Sequence, residues 1–119
     1  MTHKTFEVVN YSVTLKSRMG IDYIRCISAE VDRPDITYNY LDIHFMSDID
    51  SAPPNKGKIE GDYISGHLYV PAERYVWYLD LLRNEKPIYA DIDSEHPNNM
   101  NGIRTGLEPV GEGELDIDD

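Results

Sequence analysis

Four stretches of this chain alternate apolar and polar residues with a period of two, and that alternation limits the fold more than any other feature of the sequence. Within residues 6–16, Val9, Tyr11, Val13 and Leu15 alternate with Asn10, Ser12, Thr14 and Lys16, the pattern of a strand with one buried face. Arg18, Met19 and Gly20 supply a turn. Residues 21–31 then read as a second strand in which either face could turn inward, and the two make a hairpin. Asp32, Arg33, Pro34 and Asp35 turn the chain again. In residues 36–46, Leu41, Ile43 and Phe45 fall on a core face, and Tyr38, Tyr40, Asp42 and His44 on the other. Residues 63–70 repeat the pattern, with Ile64, Leu68 and Val70 against Tyr63, Ser65, His67 and Tyr69, and with Gly66 marking a weak point or a bulge.

Between these runs lies a stretch, 47–61, that combines Pro53, Pro54 and Gly57 with Asp48, Asp50, Lys56, Lys58 and Glu60 and has no apolar periodicity. It reads as a long loop. From Pro71 the period changes: Ala72, Tyr75, Val76, Leu79 and Leu82 fall at helical spacing, which predicts one helix over 71–84, with proline in its first turn and Pro87 preventing its continuation. Ile88, Ala90 and Ile92 give a short strand, and 103–110 has room for one edge strand. The expected fold is therefore mainly β with one helix, a β-rich α+β arrangement built as a small antiparallel sheet or a partly open barrel. A single domain spans 1–110, and an acidic flexible tail, 111–119, follows.

Length agrees with one domain, since 119 residues bury one core and leave little for a second. Nine tyrosines against two phenylalanines suit half-buried strand positions, where the ring packs and the hydroxyl reaches water. The net charge of −11 is regional. Nine acidic residues and one basic residue lie beyond residue 90, so the first 90 residues sum to only −3. Whole-chain acidity repels phosphates at long range, yet the body itself is close to neutral. The lone Cys26 has no internal disulfide partner, and the first residues lack the charged-then-apolar pattern of a secretory signal. A cytoplasmic location is expected, with no membrane span, because His67, Glu73, Arg74 and Asp80 interrupt the most apolar region.

Few residues form recognisable chemistry. Asp91, Asp93, Glu95 and His96 resemble a cation turn but lack the glycine and distal glutamate of a calcium loop. Ser65 and His67 share a strand face without a third orienting group. Cys26 on a central strand reads as a small buried hydrophobe. His3, His44, His67 and His96 are scattered along the chain. No enzyme activity, metal or cofactor is expected. The helix carries the best candidate site: Trp77, Tyr78 and Leu81 lie off its apolar stripe and are expected to bind another protein or a second copy of the chain. One alternative is an OB-like single-stranded nucleic-acid-binding domain that stacks bases on Tyr38 and Tyr40 beside Arg25, although nucleic acid is not the favoured partner because the basic residues are not clustered. Another is an acidic inhibitor or immunity-type protein that uses its tail to mimic phosphate.

Overall fold

The structure is a computed structural model that describes residues 2–16, 22–31, 33 and 35–107. Among the described residues the alternation becomes eight strands: β1 (His3–Glu7), β2 (Asn10–Leu15), β3 (Asp22–Ile27), β4 (Tyr40–Met46), β5 (Lys56–Glu60), β6 (Tyr63–Pro71), β7 (Ile88–Asp93) and β8 (Gly102–Thr105). One helix, α1 (Tyr75–Asn84), follows β6, and a single helical turn, α2 (Pro97–Met100), precedes β8. The strands form two sheets, one in the order β1-β7-β8 and one in the order β2-β3-β4-β6-β5, and neither closes into a barrel. The mainly β fold with one helix is thus as the sequence indicates. The expected turn at 18–20 and the acidic tail at 111–119 lie outside the described residues.

The run at 6–16 is not one strand but two. Adjacent amides explain the break: Val8 N donates to Ile88 O (2.8 Å) and Val9 N donates to Ile27 O (2.9 Å), so consecutive residues serve different sheets. Phe6 and Val8 turn inward on even positions and Tyr11 on an odd one, so the alternation shifts phase at the crossing, and Val9, Val13 and Leu15, expected to share a buried face, are exposed. The β2–β3 hairpin forms as expected, with Val13 opposite Ile24.

The stretch expected as a loop at 47–61 holds a short 3₁₀ turn, Ile49–Ser51, and the edge strand β5. β5 pairs with β6 through a tight turn at Gly61, whose φ of 62° suits glycine. Its sequence, KGKIE, hides it because the inward positions are Gly57 and Ile59. Gly57 stands opposite Gly66 on β6, and β7 crosses directly over the pair. A Cβ on Gly57 would lie 2.2 Å from the carbonyl oxygen of Asp93, and one on Gly66 would lie 3.0 Å from the Ile92 side chain. Two facing glycines therefore make the flat spot on which the second sheet rests.

One pairing departs from an antiparallel sheet. β6 lies between β4 and β5, antiparallel to β5 but parallel to β4, with Tyr40 opposite Ser65 and His44 opposite Tyr69. The core between the sheets holds Ile24, Cys26, Leu41, Ile43, Phe45, Ile64, Leu68 and Val70 from the larger sheet, and Phe6, Ile88, Ala90 and Ile92 from the smaller. α1 begins at Tyr75, not at Pro71, which ends β6 opposite Met46. A 3₁₀ turn, Ala72–Arg74, joins the two. Among the described residues no helix is long and apolar enough to cross a membrane.

Candidate functional site

Successive strand residues point to opposite faces, so burying Ile24, Cys26, Leu41, Ile43, Leu68 and Val70 turns Tyr23, Arg25, Tyr40, Asp42, His44, His67 and Tyr69 to the other side of the larger sheet. Register then sets them in rows. Arg25 lies opposite Asp42, Asp42 opposite His67, and His67 opposite Lys56. The neighbouring row runs Tyr23, His44, Tyr69.

Arg25 Nε and Nη2 donate to Asp42 Oδ1 and Oδ2, each at 2.8 Å, a bidentate pair of the strong kind. Asp42 is only 3% exposed. Hydrogen bonding to Asp42 raises the Arg25 pKa, with burial opposing more weakly. The Arg25 guanidinium carbon also lies 4.6 Å from the centroid of the Tyr40 ring, within cation–π range. One ion pair thus fixes both an arginine and a tyrosine on the open face.

Beside it, His44 Nε2 stands 3.1 Å from His67 Nδ1. Those two rings stack at 5.3 Å, and His44 stacks on Tyr69 at 4.5 Å with 14° between planes. Burial lowers the His44 pKa, outweighing the opposing pull of Asp42. That shift favours the neutral ring, whose unprotonated nitrogen offers a lone pair. His67 Nδ1 lies 3.9 Å from Asp42 Oδ2, and one donor atom from each of Asp42, His44 and His67 falls within 4.8 Å of the others. A cleft of about 560 Å³ opens alongside, lined in part by Tyr40, Lys56, Lys58, Ser65 and His67.

The residues expected to act together on α1 are separated. Trp77 is 70% exposed and Val76 66% exposed. Tyr78 and Leu81 instead pack against the core, Tyr78 edge-on to Phe45 at 5.9 Å. The inward stripe is Tyr75, Tyr78 and Leu82, spaced by three and four residues, so Val76 changes places with Tyr78 relative to the stripe read from sequence. Arg74 reaches over Trp77, 5.9 Å from its ring. Of the residues grouped for base stacking, Arg25 lies over the Tyr40 ring, and Tyr38, which precedes β4 and also lines a hollow with Ser28 and Asn39, hydrogen-bonds with Arg25 as well. Arg25 is held by Asp42 and covers Tyr40, so a base would have to displace it.

The acidic turn has structural work. Asp93 Oδ1 accepts from the backbone amides of Glu95 and His96, both at 2.8 Å. Asp91 Oδ2 accepts from Arg104 Nε at 2.7 Å, and its Oδ1 accepts from the Thr5 hydroxyl. Cys26 is fully buried, and desolvation pushes its thiol up to about 12.

Sequence reasoning missed the meeting of His44 and His67. A signal was present, since each occupies an outward position on an alternating run. What the pattern lacked was the parallel register of β4 and β6, which sets His67 beside Asp42, two residues from His44. No protein-family model, curated protein or solved structure matches this chain, and its functional reading rests on its own residues.

Proposed function

We propose that this chain is a non-enzymatic interaction module that binds another protein through the outward edge of α1. The observation that carries the reading is the exposure of Trp77, at 70%, next to Val76 at 66%. Tryptophan is enriched among residues that dominate binding energy, because a large ring removes much apolar surface from water when a partner covers it. Arg74 at 5.9 Å from the ring adds a cation that a partner carboxylate would meet. A cytoplasmic location belongs to the same proposal and suits the single buried thiol.

The test is a pull-down with the full chain beside Trp77→Ala, together with light scattering after gel filtration to detect self-association. Loss of a recovered partner, or of a dimer, in Trp77→Ala supports the reading. A strict monomer that recovers no partner, or a partner retained equally by Trp77→Ala, counts against it. Trp77 is largely exposed, so the variant should remain folded, and circular dichroism checks this.

A further inference from the structure

We propose that His44, His67 and Asp42 form a binding site for a divalent transition-metal ion of the zinc, cobalt or nickel kind on the open face of the larger sheet. Two imidazole nitrogens on neighbouring strands already stand 3.1 Å apart. Donors about 2.0–2.1 Å from a zinc ion are held about 3.3 Å apart in a tetrahedron, so the two nitrogens already stand near that spacing, and each ring turns by about 35° to aim its lone pair at a shared ion. The parallel pairing of β4 with β6 fixes both backbones, and stacking of His44 on Tyr69 restrains one ring. A site built on paired strands loses little freedom when the ion arrives.

Asp42 supplies the third donor. Its Oδ2 lies 3.9 Å from His67 Nδ1, and a carboxylate oxygen can accept from Arg25 while it also binds an ion. Arg25 opposes the added positive charge, but it also fixes the direction of the carboxylate, as outer-shell partners of metal ligands do. Two imidazoles with one carboxylate suit zinc, cobalt or nickel, whereas calcium and magnesium take sets made of oxygen. Three protein donors leave a coordination position open. Lys56 lines the cleft beside His67, with Lys58 held close by through its ion pair to Glu60 at 3.0 Å, so a small anion is the class of ligand that completes the shell. None of this depends on partner binding by Trp77.

The experiment titrates zinc chloride into the chelator-treated full chain in excess magnesium, followed by calorimetry, with cobalt(II) absorption as a second signal. One ion per chain is expected. Affinity should fall by roughly tenfold or more in His44→Ala and in His67→Ala, and stay unchanged in His3→Ala and His96→Ala. To separate ligand loss from disturbance of the sheet in a histidine variant, substoichiometric cobalt is added to the unmodified protein and amide signals are read by NMR. Broadening centred on residues 42–44 and 67–69 supports the site. Absence of binding with metal in large excess, or broadening centred on the acidic residues 91–95 or 108–119, overturns it, leaving His44 and His67 as a hydrogen-bonded pair alone.

Discussion

Replacing Gly57 by alanine tests whether the two sheets meet where the structure sets them. The added Cβ would stand 2.2 Å from the Asp93 carbonyl oxygen, 2.8 Å from its carbon and 3.0 Å from Ile92 Cγ2. Carbon and carbonyl oxygen rest at about 3.2–3.4 Å, so roughly 1 Å of separation must be created. No rotamer change relieves the closest contact, because the atom it meets is backbone. β7 is paired on both sides, with β1 and β8, whereas β5 is an edge strand paired only with β6, so β5 gives way. Overpacking costs about 1–3 kcal/mol, and a clash of backbone on backbone belongs at the upper end, about 3 kcal/mol. A domain stable by about 5–15 kcal/mol loses a visible share of that. Gly66→Ala, which meets the Ile92 side chain at 3.0 Å, should lose less, because that side chain can shift. Gly102→Ala meets nothing within 4 Å and should be neutral or gain about 0.4–1 kcal/mol from the stiffer unfolded chain. Urea unfolding read by far-UV circular dichroism is the suitable assay, since the exposed Trp77 reports poorly on the core. If Gly57→Ala unfolds within about 0.5 kcal/mol of the unmodified protein, β7 does not press on β5 as described.

Arg25→Leu leaves the buried Asp42 carboxylate without its bidentate partner and should lower stability by about 1–3 kcal/mol. The double change with Asp42→Leu should recover much of that, and additive losses in a denaturant series would contradict the buried pair. Asp93 accepts amides from His96 and Glu95, which hold its carboxyl below its ordinary value of 3.8. A depressed folded pKa means that the unfolded chain binds the proton more readily, so this stability is present above 3.8 and lost as pH falls through the folded value. The urea midpoint of Asp93→Asn should therefore approach that of the unmodified protein on acidification, and a constant gap would refute the assignment. Cys26, with its thiol pushed up to about 12, should resist a disulfide reagent at pH 8 in the folded protein and react promptly in urea. Rapid reaction without urea would mean that the core opens at β3. Trp77→Ala should change stability by less than about 0.5 kcal/mol, and a larger loss would mean that the ring is covered.

Much of the fold was legible wherever alternation coincided with burial. Leu41, Ile43 and Phe45 face the core and Tyr40 and His44 face away, as their spacing indicates. The pattern failed in three physical circumstances. At Val8 and Val9 the chain changes sheets and the alternation shifts phase, which leaves Val13 and Leu15 exposed. At β5, close approach of β7 requires glycine where a strand pattern would show a large apolar residue. On α1, a helix apolar over more than half its circumference gives no unique inward face, and packing of Tyr75 and Tyr78 on Phe45 decides it. The histidine site belongs to a further kind. Its members are 23 residues apart in sequence, and only strand register brings them together.

The position of β6 also sets an order of assembly. The β5–β6 hairpin joins near neighbours through the turn at Gly61 and Asp62, and β2, β3 and β4 form a meander without it. Union of these halves is a long-range step within the larger sheet, because Tyr40 must find Ser65 and closing that loop carries an entropy cost before any contact rewards it. His44 belongs to one half and His67 to the other, so their contact is a clock mark in refolding. Followed by histidine NMR, it should appear when the hairpin docks and not when the hairpin forms; an earlier signal would show that the halves associate before β5 and β6 have paired.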